Sequence, residues 1–298
     1  MSISLVKTGG ASILLGEREY RGYFNVKYNM LLKITKVSKR HDECKYIEEI
    51  RKIPDYEKYY AIPENKCFLL RPHDHFYEYL EKLVEMEKMP IFGGDLHAFF
   101  VNYAGKEDLQ DSIAYLNDNH FSPIWNNYSN IMNFTTQIID AIRFLHDRKI
   151  CHLDIKPENI MINDEKKQFR LIDFGFSSKE PFKDYVFDLR GTPGYFPKQY
   201  NFDNSTKFLP KIEANDFILV NNELPIVKNR KLVYKIDSYC LGRILYFLTY
   251  IFDENYIPNC FNWYGKTEKR VKNIMNDLLE NDVQKRITIQ ECYEKYFS

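Results

Sequence analysis

Residues 152–159 read His-Leu-Asp-Ile-Lys-Pro-Glu-Asn, and residues 173–175 read Asp-Phe-Gly. The first stretch holds an acid, a base and an amide, and the second adds another acid. Short apolar runs flank both stretches, and the polar residues 163–167 lie between them. This pattern predicts two short paired strands joined by a turn, which would present the two acids on the same side.

Transfer of a phosphoryl group needs side chains of these types. A carboxylate accepts the proton of the attacking hydroxyl, while an amide and a second carboxylate hold Mg²⁺ on the nucleotide phosphates. Asp154, Asn159 and Asp173 supply these groups in that order along the chain. The alternative explanation is a polar turn that has this sequence by chance, and the presence of both stretches at a workable distance makes it the weaker one.

The two stretches resemble the catalytic loop and the metal-binding triplet of eukaryotic-type protein kinases. The resemblance implies that Asp154 is the catalytic base and that Asn159 and Asp173 bind Mg²⁺. It also implies that Lys156 contacts the γ-phosphate and that His152 packs behind the loop as a scaffold residue. The implied cofactors are ATP and Mg²⁺, with Mn²⁺ as the alternative metal.

The same resemblance implies the fold, which is of the α+β class. We expect a bilobal protein kinase domain over residues 1–298, with a small β-rich N-lobe (1–104) and a larger, mostly helical C-lobe (105–298). Two segments are longer than the family needs and are expected to be insertions, one near 71–94 and the other near 200–236.

Three segments of the N-lobe resemble the family's nucleotide-binding elements. Residues 7–12 resemble a degraded glycine-rich loop, although a plain hairpin turn explains them better when they are taken alone. Residues 31–34 resemble the strand whose lysine grips the α- and β-phosphates, and residues 99–105 resemble the last N-lobe strand and the hinge that binds adenine. The implied cofactor-binding residues are Lys33, Gly9, Gly10, Ser12, Leu14, Asn102 and Ala104.

A helix predicted at residues 39–52 should carry the glutamate that pairs with Lys33. Glu43 is followed by apolar side chains at the third, fourth and seventh positions, which form one helical face. Glu49 is the alternative, but Lys52 lies three positions after it. We therefore expect Glu43 to be the partner of Lys33 and to belong to the cofactor-binding set.

Residues 191–197, called the docking segment below, read Gly-Thr-Pro-Gly-Tyr-Phe-Pro. They resemble the segment that receives the peptide substrate in protein kinases, and Thr192 would hydrogen-bond Asp154 and Lys156. Together with Lys156, Thr192 fits the serine/threonine-specific pattern. The expected partners are therefore proteins with Ser or Thr acceptors. Small-molecule kinases share the catalytic loop but usually lack such a docking segment.

Some positions depart from the family pattern and favour a second class of function, a pseudokinase scaffold that binds nucleotide or partners without transfer. The glycine-rich loop is degraded, Leu153 replaces the usual arginine, and Gln199 replaces the glutamate that would pair with Arg286. The residues expected to touch phosphate, metal or proton are nevertheless retained. Because Leu153 cannot bind a phosphate, we expect a constitutively active enzyme.

Composition restricts the remaining possibilities. Lys and Arg together number 42, as do Asp and Glu, so no nucleic-acid partner is expected. The six cysteines form no Cys-x-x-Cys pair, which predicts reduced thiols in a cytosol-like compartment. The N-terminus lacks the apolar core of a signal peptide, and the apolar run at 241–252 is too short for a bilayer, so no membrane association is expected. A monomer is favoured.

The chain also resembles compact kinases of large DNA viruses, because it has short ends and is rich in Tyr, Phe, Asn, Lys and Ile. The resemblance implies residence in the cytoplasm of an infected host cell and in virions.

Overall fold

The computed structural model describes most of the chain in separate stretches. The described residues are 5–9, 12–15, 30–36, 43–63, 67–72, 74–78, 80, 96–102, 107–112, 125, 127–163, 167–182, 194–195, 197, 217–218, 226–227, 229–255 and 265–298. The chain divides into two compact units. The N-terminal unit comprises residues 1–57, 61–104 and 173–175, and the C-terminal unit comprises residues 58–60, 105–172 and 176–298. The lobe and insertion boundaries drawn from the sequence stay predictions.

The N-terminal unit is built on a five-stranded antiparallel sheet with the order β1-β2-β3-β5-β4. Its strands are β1 (Leu5–Gly9), β2 (Ser12–Leu15), β3 (Met30–Lys36), β4 (Phe68–Leu70) and β5 (Leu96–Asn102). Successive side chains of a strand point to opposite faces, so Lys33 lies on the face opposite Leu32 and Ile34. All three side chains are buried, which places a charged group inside the unit.

The helix α1 (Glu43–Ile50) belongs to the same unit as this sheet. The apolar face predicted from the spacing is buried, with Tyr46, Ile47 and Ile50 inside. The helix ends two residues earlier than the predicted limit of Lys52, and tighter turns follow it, in which the backbone N–H groups of Lys52 and Ile53 donate to the carbonyl oxygens of Glu49 and Ile50. The predicted helical residues 39–42 lie outside the described residues.

The C-terminal unit is mainly helical. Its helices are α2 (Tyr128–Asp147), α3 (Arg230–Asn255), α4 (Gly265–Leu278) and α5 (Ile289–Tyr296). Its short strands are β6 (Glu107–Asp108), β7 (Ile150–Cys151), β8 (Ile160–Asn163), β9 (Gln168–Leu171), β10 (Ser178–Lys179), β11 (Phe217–Ile218) and β12 (Ile226–Val227). The predicted pair of strands around the turn is β8 and β9, and the predicted α+β class is confirmed.

The starts of α2 and α5 and the packing of α3 each depend on particular side chains. The Asn127 side chain accepts a hydrogen bond from the Asn130 backbone N–H and so caps α2. Thr288 and Glu291 form a capping box at the start of α5. A Cβ added to Gly242 of α3 would lie 2.9 Å from the Leu279 side chain, so glycine permits the close approach of the chain after α4. Among the described helices, none combines the length and apolar character that crossing a bilayer requires.

The expectation of reduced thiols is wrong for two of the six cysteines. Cys44, in the first turn of α1, forms a disulfide with Cys67, just before β4. Sequence spacing did not reveal this pair, because the two residues are 23 positions apart and meet only when α1 packs beside the start of β4. Cys151, Cys240 and Cys292 are free and buried.

We predict that the double substitution Cys44→Ala and Cys67→Ala lowers the free energy of unfolding by roughly 3 kcal/mol, because it releases a loop that the bridge closes in the unfolded chain. Urea titration with and without a dithiol reductant measures this. The reductant should destabilise the wild type and leave the double variant unchanged. Equal sensitivity of both proteins to the reductant would contradict the assignment of the bridge.

Candidate active site

The loop at residues 152–159 connects β7 to β8, and a buried carboxylate from α3 fixes its first residues. Asp237 is fully buried, and its two oxygens accept the backbone N–H groups of His152 at 2.9 Å and Leu153 at 2.8 Å. The His146 ring nitrogen Nε2 lies 2.9 Å from the same carboxylate. These contacts hold Leu153 at a φ of 66°, a conformation that costs an L-residue about 1–2 kcal/mol. The turn that follows Leu153 is therefore set by Asp237.

His152 lies behind the loop and is fully buried. Its Nδ1 accepts the backbone N–H of Asp154 at 3.3 Å, and its Nε2 lies 3.1 Å from the carbonyl oxygen of Ile172. The neutral ring satisfies both contacts when the proton is on Nε2. The side chain thus joins the start of the loop to the end of the strand pair, which is the position expected of a scaffold residue.

Asp154, Lys156 and Asn159 lie together in the C-terminal unit. The Asn159 amide nitrogen donates to the Asp154 backbone oxygen at 2.8 Å and to its carboxylate at 3.0 Å. The Lys156 ammonium lies 3.5 Å from the same carboxylate. Asp154 and Asn159 are each 5% exposed, so the carboxylate is oriented by fixed partners and not by bulk water. An oriented carboxylate beside a cation can accept a proton from a hydroxyl placed against it.

In the N-terminal unit, Lys33 bridges two carboxylates. Its Nζ donates to Glu43 at 2.9 Å and to Asp173 at 2.8 Å. Burial alone would lower the pKa of Lys33, but the attraction of Asp173 and Glu43 outweighs it and raises the pKa above its ordinary value. Burial raises the pKa of Glu43, and the Lys33 charge opposes that rise. The lysine therefore remains a cation inside the unit.

The Asp-Phe-Gly triplet is fixed by the same group of side chains. Glu43 also accepts the backbone N–H of Phe174 at 3.2 Å, so one glutamate holds both the lysine and the triplet. Asp173 has a φ of 61°, and its Oδ1 accepts the Gly175 backbone N–H at 3.2 Å. A Cβ at Gly175 would lie 3.2 Å from that oxygen, which makes any larger residue crowded. The Asp173 side chain is 37% exposed, so its carboxylate reaches the surface of the unit.

The remaining predicted site residues are only partly described. Gly9 and Ser12 are opposite partners where β1 and β2 begin to pair, and Leu14 pairs with Lys33 in the sheet register. Asn102 is the last residue of β5. Four predicted residues, Gly10, Ala104, Thr192 and Gln199, lie outside the described residues. Arg286, the expected partner of Gln199, is buried, donates through Nε to the Glu280 carbonyl oxygen at 2.9 Å and lies over the Tyr239 ring.

The donor chemistry of the predicted metal ligands fits Mg²⁺. Asp173 offers carboxylate oxygen and Asn159 offers amide oxygen, and both are the hard ligands that this ion prefers. A second cluster, His146, Cys151 and Asp237, has ligand atoms within 4.8 Å of one another. Its carboxylate is already engaged by backbone N–H groups, and burial raises the pKa of the Cys151 thiol well above its ordinary value. That cluster is therefore a structural anchor and not a metal centre.

The sequence alone did not identify Asp237 as a partner of the catalytic loop. The available signal was an acid in the apolar stretch 232–248, because a buried carboxylate must find donors. The contact partner could not be read from spacing, since His152 and Asp237 are 85 positions apart.

We predict that Glu43→Gln lowers the rate of phosphoryl transfer from ATP by roughly tenfold or more, because it leaves the buried Lys33 with one charged partner fewer. Glu49→Gln is the matched control. Glu49 pairs with the largely exposed Lys52 at 2.7 Å, an arrangement worth about 0–1 kcal/mol, so its loss should change the rate less than twofold. Steady-state rates of the two variants measure this difference. A larger loss of rate in Glu49→Gln would identify Glu49, and not Glu43, as the partner of Lys33.

Comparisons with known proteins agree with this geometry. The family model for the protein kinase domain matches residues 29–213. Human death-associated protein kinase 2 is 29% identical over 208 residues, which are 68% of this chain and 47% of that protein. The serine/threonine-protein kinase nekl-2 of Caenorhabditis elegans is 27% identical over 157 residues, 52% of this chain and 36% of that protein. The matched regions thus span about half or less of these curated relatives.

Solved structures support the fold. The Cydia pomonella granulovirus kinase PK-1 superimposes with a TM-score of 0.56 and 12% sequence identity, covering 100% of this chain and 93% of that one. The Legionella pneumophila effector kinase LegK7 gives a TM-score of 0.56 at 14% identity, covering 98% of this chain and 59% of that one. Together with the family model, the catalytic loop anchored by Asp237 and the paired Lys33 show that this chain belongs to the protein kinase domain family.

Proposed function

We propose that this protein is an ATP-dependent protein kinase that transfers the γ-phosphate to Ser or Thr hydroxyls of other proteins. The observation that carries the proposal is the oriented Asp154 carboxylate, which accepts a hydrogen bond from the Asn159 amide at 3.0 Å and lies 3.5 Å from the Lys156 ammonium. The relatives described as serine/threonine kinases support the choice of acceptor. ATP is the phosphoryl donor, and Mg²⁺ is the favoured metal, with Mn²⁺ as the alternative.

In this mechanism Asp154 accepts the proton of the acceptor hydroxyl as its oxygen attacks the γ-phosphorus, and ADP leaves with the bridging oxygen. Lys156 balances the negative charge that builds up beside the base. Lys33, kept cationic by Glu43 and Asp173, binds the phosphates of the donor. Asp173 and Asn159 would hold Mg²⁺, which neutralises charge on the transferred group when bound.

A pseudokinase scaffold is the second candidate, and Leu153 and the degraded glycine-rich loop favour it. Leu153 is fully buried, so it packs in the C-terminal unit and offers no charge to a phosphate. Loss of that charge affects regulation and not the chemistry, because Asp154 and Lys156 are still placed together. Catalysis therefore remains the better-supported function.

We also propose that activity does not require phosphorylation after the Asp-Phe-Gly triplet. Ser177 is fully buried and its hydroxyl lies 3.5 Å from the His152 carbonyl oxygen, while Ser178 is 4% exposed. Ser178 pairs with Cys151 where β10 meets β7, so backbone pairing holds this part of the chain. A kinase or phosphatase could reach these hydroxyls only after local unfolding.

The richness in aromatic residues, with 23 Tyr and 22 Phe in 298 residues, favours a compact kinase of a large DNA virus, such as the serine/threonine protein kinase of African swine fever virus. We therefore propose an origin in a large DNA virus, with residence in the host cytoplasm and the virion. Protein substrates are the expected partners, without nucleic acid or membrane, and the monomer is the favoured state. Antibody detection in purified particles and in fractionated infected cells tests the location.

We predict that Asp154→Asn lowers the transfer rate by about 10²–10⁴-fold while the protein stays folded and still binds nucleotide, because the amide keeps the shape and removes the base. Radiolabel transfer from ATP to a generic acceptor protein measures the rate. Substantial transfer by Asp154→Asn would falsify the assignment of the base.

We predict that Asp173→Asn weakens Mg²⁺-ATP binding, because a neutral oxygen replaces an anionic ligand. Calorimetry detects this change.

We predict that phosphatase treatment leaves the initial rate unchanged. The purified enzyme is treated, the phosphatase is removed, and the rate is measured before autophosphorylation can recover. Ser178→Ala provides the control, because it removes a buried hydroxyl without altering backbone pairing, and it should retain the wild-type rate within about twofold. A large drop that rephosphorylation at Ser177, Ser178 or Tyr185 restores would show that the enzyme is switched by phosphate.

A further inference from the structure

An arginine of α3 contacts the docking segment. Arg243 follows Gly242, and its Nε donates to the Gly194 carbonyl oxygen at 2.9 Å. Gly194 has a φ of 94°, a conformation that L-residues rarely adopt, so the chain turns sharply there. The arginine therefore holds the oxygen of a turn in the middle of the docking segment.

Aromatic rings of α3 hold the arginine in place. The Arg243 guanidinium lies 4.9 Å from the ring centroid of Phe247, four positions further along the helix, and 5.4 Å from that of Tyr246, three positions further along. The Phe247 ring in turn packs against the Tyr195 ring, with centroids 5.8 Å apart. Gly194 and Tyr195 are thus tied to α3 by one hydrogen bond and one ring contact.

Two charged groups act on the hydroxyl of Tyr195. Burial raises the pKa of the Tyr195 hydroxyl to about 12, the Glu158 carboxylate adds to that rise, and the Arg243 guanidinium opposes it. Glu158 belongs to the short turn Pro157–Asn159, which directly follows Lys156. The charges that act on the Tyr195 hydroxyl thus come from the turn after Lys156 and from α3.

We propose that Arg243 is a positioning residue for the acceptor protein, which fixes the docking segment so that a Ser or Thr hydroxyl reaches Asp154. This inference rests on the proposed function. A guanidinium suits the role because its planar face stacks on a ring while its edge donates a directed hydrogen bond. The ammonium of a lysine can donate to the same oxygen but offers no planar face.

The test compares Arg243→Ala with Arg243→Lys and with Arg270→Ala. Arg270 is the matched control, because its guanidinium also covers a ring, that of Phe297 at 5.0 Å, but belongs to α4. We expect Arg243→Ala to raise the KM for the acceptor protein roughly 5–10-fold, the effect of losing one hydrogen bond, with kcat and the KM for ATP within about twofold. Arg243→Lys should restore part of the loss, and Arg270→Ala should match the wild type.

Direct binding separates this inference from the proposed function. Fluorescence anisotropy of labelled myelin basic protein, a generic Ser/Thr acceptor, gives a Kd that needs no transfer, and circular dichroism verifies the fold of each variant. Absence of transfer by the wild type would defeat the proposed function, whereas the Kd would still report on Arg243. An unchanged Kd and KM in Arg243→Ala, or a fall in kcat without a change in KM, would overturn the inference. A rise confined to the acceptor would establish it.

Discussion

The C-terminal unit depends on one buried carboxylate, that of Asp237. A carboxylate removed from water costs several kcal/mol unless donors surround it. Here the donors are backbone N–H groups of His152 and Leu153. The same two hydrogen bonds therefore stabilise the buried carboxylate and fix the conformation of the catalytic loop. The loop in turn places Asp154 and Asn159. The position of Asp237 follows from the packing of α3, whose Gly242 lets it lie against the residues after α4.

The N-terminal unit also contains a buried charge that needs partners, but this charge is positive. Lys33 is a buried cation, and two carboxylates surround it, so its pKa is raised and not lowered. Glu43 must therefore keep its contact with Lys33. It lies in the first turn of a short helix, however, where helices tend to fray. The Cys44–Cys67 bridge begins at the next residue and fastens that turn to the chain before β4. The disulfide thus stabilises the part of α1 on which the Lys33 pair depends.

Residues that act within a contiguous motif could be predicted from the sequence, and residues that act by tertiary contact could not. Asp154 and Asn159 lie in one short string. Helical periodicity and the position of Lys52 favoured Glu43 over Glu49 as the partner of Lys33, and in the structure Lys33 contacts Glu43 while Glu49 contacts Lys52. The Cys44–Cys67 bridge and the Asp237 anchor each join positions that only the packed fold brings together. Arg243 was read only as a charge that interrupts an apolar run, because its partner Gly194 is 49 positions away.

Two contacts hold described parts of the segment that runs from the Asp-Phe-Gly triplet to the end of the docking segment, and neither contact involves a phosphate. A phosphate orders such a segment by recruiting arginines, each pair supplying a charge-assisted hydrogen bond. In this chain the described beginning of the segment is held by backbone pairing of Ser178 with Cys151. The described part near its end is held by Arg243 on the Gly194 oxygen. Both contacts agree with the proposal that activity does not require phosphorylation after the Asp-Phe-Gly triplet.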